Sequence, residues 1–318
     1  MAMRYLTPLF VAALLAAFAP TTASFAASDP PAGAAASKSP VASDTLTEGH
    51  GWLTELNAML NLSQAAFVNW QEGGFNTLAA TSTVNGRFAR VQGSFRQRHD
   101  TRLSFGLVKQ DTLSARKAND MIRYAFDLQY VQDSPVRPSV ATEIRTQFAA
   151  GFDYEPTAGK YPTLVDRILP GQRLKVSDFF APAVWTQSLG MAYEPEGWFR
   201  ARAGFGFKQT IVTIERLRPV YGNRIDEPIR FQAGLDALLE ARGDIFENVG
   251  VQSRLSVFQA FTQFAEAAPD LLWENTVRMR VNRWLSVNGE FVALYDRDVL
   301  NRVQLKEVLS IGVSVALL

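Results

Sequence analysis

The sequence predicts an all-β fold, a closed antiparallel transmembrane β-barrel of about 12 strands. Three observations carry that prediction. Apolar and polar residues alternate with period two along most of the chain after residue 52, as they do where successive side chains point to opposite faces of a strand. No stretch beyond that point stays apolar for long enough to form a membrane helix. The connections between the alternating segments fall into a short set and a long set, which suits a barrel with tight turns at one end and loops at the other.

Taken in order, residues 1–26 read as a secretory signal peptide. Arg4 precedes an apolar run over 9–19, and a small-residue stretch ends at Ser24, Phe25 and Ala26, with cleavage expected after Ala26. Residues 27–51 are rich in Ala, Pro and Ser with almost nothing to bury, so a disordered linker is expected there. Residues 52–318 form the barrel in this reading. The chain has no cysteine, which excludes disulfides and thiolate chemistry. Its formal charge of +1 leaves no electrostatic footprint for nucleic acid.

The alternating segments lie near 52–66, 75–95, 100–111, 121–132, 141–154, 183–194, 197–212, 229–241, 246–262, 270–283, 285–296 and 302–318. In the seventh, Phe199, Ala201, Ala203, Phe205 and Phe207 share one face, while Arg200, Arg202, Gly204, Gly206 and Lys208 share the other. In the last, Leu305, Leu309, Ile311, Val313, Val315 and Leu317 oppose Lys306, Ser310, Gly312 and Ser314. Tight connections are expected at 97–100, 194–197 and 243–247 and at the Arg283-Trp284 corner, against long ones at 155–182 and 213–228. A Pro135/Pro138 connection near 132–140 and a short first hairpin depart from that pattern. Trp52, Trp70, Trp185, Trp198, Trp273 and Trp284 all fall near strand ends, as the aromatic girdles of a membrane barrel do. An even strand number closes the sheet and leaves no edge.

The stretch 60–74 reads LNLSQAAFVNWQEGG. Asn69 tolerates left-handed dihedrals, Gly73 and Gly74 permit positive φ, and Trp70 suits the membrane interface, so the motif reads as a structural hairpin. No helix follows the glycines to make a phosphate loop. Leu60, Asn61, Ser63, Gln64, Phe67, Asn69, Trp70, Gly73, Gly74 and Asn76 together resemble the signature of an uncharacterised outer-membrane β-barrel family of Gram-negative bacteria, catalogued as a domain of unknown function. Residues 146–155, 176–183 and 294–313 are similar to it as well, so the resemblance spans nearly all of the mature chain. It implies a barrel set in outer-membrane lipid by the barrel-assembly machinery, and it implies no activity.

Charged side chains toward lipid cost about 2–4 kcal/mol for Arg or Lys at the midplane, so the polar faces must line the lumen. Alternation places Glu143, Arg145, Arg200, Arg202, Arg230, Asp236, Glu240, Arg254, Glu274, Arg278, Arg280 and Glu290 there, with Glu55, Arg123, Asp127, Lys208 and Lys306. Arg200, Arg202 and Arg230 on adjacent strands, with Arg278 and Arg280 nearby, suggest a basic path for small anionic or zwitterionic solutes. The same groups also form a mutually neutralising network, and both hold at once if pairing leaves a residual basic track; the alternative function is a closed structural or interaction barrel whose surface loops bind partners. The 155–182 loop is too apolar to lie free in water, so it is expected either to constrict the mouth or to pack on the rim.

Enzymatic readings lack their residues. Of two histidines, His50 lies at the linker edge and His99 in an expected tight turn, which leaves none for a Ser-His triad in the wall. No metal site of His or Cys type is spaced along the chain, and Asp111 and Asp120 lack a calcium-loop spacing. Asp127 and Glu143 on neighbouring strands are expected to be salt-bridged rather than to act as an acid and a base. The expectation is a protein without catalysis, cofactor or metal that passes small solutes through a charged lumen.

Overall fold

The computed structural model describes residues 51–67, 75–263 and 268–317. The strands are β1 (Leu53–Ala65), β2 (Thr77–Gln92), β3 (Phe95–Gln110), β4 (Arg116–Tyr130), β5 (Val136–Thr146), β6 (Gly151–Asp153) and β7 (Leu174–Ser177). They continue as β8 (Ala183–Glu196), β9 (Phe199–Ile211), β10 (Ile229–Phe246), β11 (Val249–Ala260), β12 (Asp270–Arg280), β13 (Leu285–Asp296) and β14 (Leu300–Ala316). β6 and β7 pair only with each other; the other 12 form a closed barrel in chain order, with β5 beside β8 and β14 beside β1. Closure runs from Asn57 opposite Ala316 to Leu62 opposite Ile311, so every barrel strand has two neighbours and none is an edge.

At one end, connections 93–94, 131–135, 197–198, 247–248 and 281–284 are turns. At the other, 66–76, 111–115, 147–182, 212–228, 261–269 and 297–299 include every long loop. The division is cleaner than the sequence suggests, because β5 starts at Val136 rather than 141. Pro138 is therefore a strand residue and the connection before β5 is short. The first connection runs from 66 to 76, and its residues 68–74 lie outside the described residues. Residues 151–154, expected in the fifth strand, instead supply β6 within the long loop.

Two expected turns are also strand. Residues 97–100 lie inside β3, and the reversal falls at Gly93, whose φ of +54° suits glycine. His99 is consequently an outward strand residue whose Nδ1 sits 2.8 Å from Tyr124 Oη, not a turn residue. Glu194 likewise belongs to β8, whose turn comes after Glu196. Both stretches look like turns because they are dense in polar residues, yet every second one points into a lumen where charges meet partners. β10 similarly runs on to Phe246, past the expected turn at 243–247.

The outward face is mostly apolar and uncovered, with Phe205 62% exposed and Leu309 68%, although Glu307 shares it between Leu305 and Leu309. Trp52, Trp198 and Trp284 stand at the turn end, and Trp185 and Trp273 near the loop end. Trp70 lies outside the described residues, as do Asn69, Gly73, Gly74 and the whole expected signal peptide. Asn76 holds the base of that hairpin. Its side-chain oxygen accepts from Phe67 N–H at 2.7 Å, and its own N–H donates to Asp111 at 2.8 Å.

The apolar core cluster sits above the barrel, not within it. Leu164, Leu174, Ala181, Val212 and Leu217 bury one another where the 147–182 loop meets the 212–228 loop. Tyr221 Oη donates to Val176 O at 2.8 Å, and Asn223 Nδ2 donates to Thr210 O at 2.9 Å, seating this cap on β9. Within the cap, burial works against ionisation of Asp153, but the ammonium of Lys160 and the hydroxyl of Tyr161 outweigh it and hold the carboxyl below its usual range. The apolar loop therefore packs against the 212–228 loop at the loop end of the barrel.

Candidate functional site: a lumen crossed by ion pairs

The register builds an alternating charge ladder on one wall. Arg200 of β9 lies opposite Glu240 of β10, Glu240 opposite Arg254 of β11, and Arg254 opposite Glu274 of β12. Opposite charges directly across a strand pair are favourable, so the ladder is neutral along its length.

The same groups also reach across the barrel. Arg123 of β4 stands six places from β12, on the opposite wall, and its Nη1 lies 2.9 Å from Glu274 Oε2. Arg254 holds Glu143 of β5 as well as Glu240 at 3.1 Å and Glu274 at 3.3 Å. Arg200 joins Asp127 at 3.0 Å, Glu194 at 3.2 Å and Glu240 at 3.3 Å. Arg98 of β3 reaches Glu240 at 3.6 Å and Asp100 at 2.9 Å. Wall-to-wall contacts of about 3 Å span the barrel, so these bridges cross the lumen.

Other predicted residues fall into smaller groups. Arg202 pairs with Asp236 at 3.2 Å and Asp127 at 3.4 Å. Glu290 takes Lys306 at 3.1 Å and Arg102 at 3.4 Å. Arg230 pairs with Asp298, and Arg280 with Asp244 at 3.4 Å near the turn end. Lys208 bridges Asp270 at 2.6 Å and Asp296 at 3.4 Å. The carboxylates of Asp270, Asp296 and Asp298 converge within 4.8 Å, with Lys208 and Arg230 providing the cations between them. Asp127 and Glu143 are both salt-bridged, though to different arginines. Asp111 and Asp120 serve separate backbone contacts, at Asn76 and at Phe148 and Ala149.

Each of Arg200, Arg202 and Arg230, expected on a basic path, has at least one carboxylate partner. The guanidinium groups without an ion pair lie elsewhere. Arg278 approaches only Met59 Sδ, at 3.9 Å. Arg145 and Arg137 contact no described residue at hydrogen-bond or ion-pair distance, and each buries an Nε without a partner. Sequence reasoning missed Arg87, Arg96, Arg98, Asp100, Arg102 and Glu194 as lumenal groups. Their signal was present: in FRQRHDTR the charges at 96, 98, 100 and 102 keep period two.

Three cavities follow one another along the lumen. A loop-end chamber of about 680 Å³ is roofed by Tyr161, Val176 and Tyr221 and lined below by Glu143, Arg145, Arg202 and Arg254. A middle space of about 130 Å³ shares Glu143, Arg202 and Arg254 with it. A turn-end space of about 200 Å³ shares Arg87, Arg200 and Glu240 with the middle one. The shared residues are mostly the ion-bridging ones, joined by Leu238 between the first two cavities and Gln252 between the last two.

Residues 62–152 match the family model described as Protein of unknown function (DUF3078). The match takes in β2 to β5 and most of the opening motif. It stops short of the 176–183 and 294–313 segments, so it covers less of the chain than the resemblance in the sequence suggests. No curated protein matches. Among solved structures, the translocator domain of autotransporter NalP from Neisseria meningitidis shares 8% identity at a TM-score of 0.33, covering 84% of this chain and 88% of that one. The COG4313 outer membrane channel from Pseudomonas putida F1 shares 9% at 0.36, covering 83% and 94%. The toluene transporter TodX of Pseudomonas putida shares 10% at 0.29, covering 83% and 88%. Likenesses this distant carry no information about activity.

Proposed function

We propose that this chain is an outer-membrane barrel of a Gram-negative bacterium that passes small solutes through its lumen when the ion bridges across it part. One observation carries the proposal: the lumen is divided into successive cavities by salt bridges rather than filled with apolar side chains. Buried ion pairs are no better than apolar packing at stabilising an interior, so a lumen closed for stability alone has no need of them. Side-chain bridges between hydratable groups can exchange partners for water, whereas an apolar plug cannot. The apolar outer wall, the even strand number and the girdle tryptophans support the membrane setting, and the long loops then face outward from the cell.

The test is single-channel recording of the refolded mature protein in planar bilayers. Wild type is expected to open briefly and at low conductance. Arg254→Gln, which removes the cation shared by three carboxylates, is expected to lengthen openings several-fold, and deletion of residues 157–180 to remove the mouth constriction. Silence in all three, with barrel folding confirmed by heat-modifiable gel mobility, would sink the proposal.

A further inference from the structure

Arg145 stands apart from the other lumenal cations in the loop-end chamber. Its charged neighbours are Glu274, Glu143, Arg123 and Arg254. Both of those carboxylates are already committed, Glu274 to Arg123 and Arg254, and Glu143 to Arg254. Arg145 is therefore left without a carboxylate of its own, with no ion pair or hydrogen bond to any described residue and its Nε buried unpartnered. A buried guanidinium donor without a partner is costly, and a bound carboxylate would satisfy it.

The chamber around it is amphipathic. Leu238, Phe258, Leu272 and Leu294 line it from the barrel wall. Its volume of about 680 Å³ is that of a small-molecule site. Guanidinium recognises carboxylate through two parallel N–H donors, and the wall across the chamber, β10 to β13, offers an apolar surface for whatever the carboxylate is attached to. We infer that the loop-end chamber is a binding site for a small monocarboxylate with an apolar body, its carboxylate on Arg145 and its hydrocarbon against the leucines. The inference deepens the proposed function by naming the solute class, and it rests on that reading only for the solute's onward movement.

Equilibrium binding does not require the bridges to open, so it is measured separately from conductance. Hexanoate is titrated calorimetrically into the refolded barrel in lipid nanodiscs, with hexanol and hexylammonium as analogues that keep the chain and change the head. Saturable heat with hexanoate alone is expected. It should weaken at least tenfold in Arg145→Gln and less in Arg145→Lys, which keeps the charge but loses the planar fork. Arg137→Gln, at the turn-end cavity, should bind as wild type does. Because Arg145 has no partner to abandon, Arg145→Gln should fold normally, which the gel shift checks. Equal binding of hexanol, or undiminished binding in Arg145→Gln, would overturn the assignment. Binding by a barrel that never conducts would retain the site and remove the passage.

Discussion

At the scale of the single residue, the lumenal charges differ in what surrounds them, and their replacement should differ accordingly. Asp127 is 5% exposed and holds Arg200 at 3.0 Å and Arg202 at 3.4 Å, while accepting from Ser139 at 3.0 Å and Gln129 at 2.8 Å. Asp127→Asn preserves the shape and takes one carboxylate from two guanidiniums, leaving Arg200 with Glu194 and Glu240 and Arg202 with Asp236. Removing one partner from a buried pair costs about 3–5 kcal/mol, so a clear drop in the urea midpoint with unchanged slope is expected in lipid vesicles. An unaltered midpoint would mean that solvent already screens the pair. The parity of such residues was legible in the sequence: Arg200, Asp236, Glu240, Arg254 and Glu274 all point inward as alternation requires. Their partners were not legible, because Arg123 and Glu274 meet across the barrel, and contacts between opposite walls have no period along the chain. For that reason the carboxylate partners of Arg200, Arg202 and Arg230 could not be read from the strand pattern.

At the scale of the element, the barrel and its cap are stabilised by different means. Strands are joined by backbone pairing and inward ion pairs, whereas the cap depends on the apolar cluster of Leu164, Leu174, Ala181, Val212 and Leu217. Leu217 is fully buried there, and Leu→Ala at such a site costs about 2–5 kcal/mol. Leu217→Ala should therefore loosen the 147–182 loop, seen as faster proteolysis or hydrogen exchange in that segment, and leave exchange of the barrel strands unchanged. Loosening of both together would show that cap and barrel unfold as one unit. The cap was foreseeable from the apolar content of TLVDRIL and KVSDFFAPAV, but its partner segment 212–221 was not, since the two loops meet only once β8 and β9 have carried the chain down the barrel and back. Strand ends shifted for a related reason. A polar run such as RQRHD resembles a turn in water, and only the charged lumen makes it a strand.

At the scale of the whole molecule, the fold is turned inside out relative to a protein stabilised in water: charges meet in the middle and hydrocarbon faces outward. Apolar surface left uncovered around an entire closed sheet has to be covered by something, and the position of each exposed side chain gives a direct way to ask what. Leu309 lies midway along β14 and is 68% exposed, while Ser310 beside it faces the lumen. If lipid covers the wall, Leu309→Arg places a charge in hydrocarbon and should lower unfolding stability in vesicles by about 2–4 kcal/mol, the cost measured for lipid-facing Arg near the midplane of a barrel. The same substitution at Val303, near the loop end of that strand, should cost only about 0–1 kcal/mol, because the penalty fades toward the interface. A gradient between the two positions is specific to a bilayer, since a protein partner or simple solvent exposure would penalise both alike or neither. Equal costs at the two sites would remove the membrane from the account and leave a closed barrel whose outer face is covered in another way.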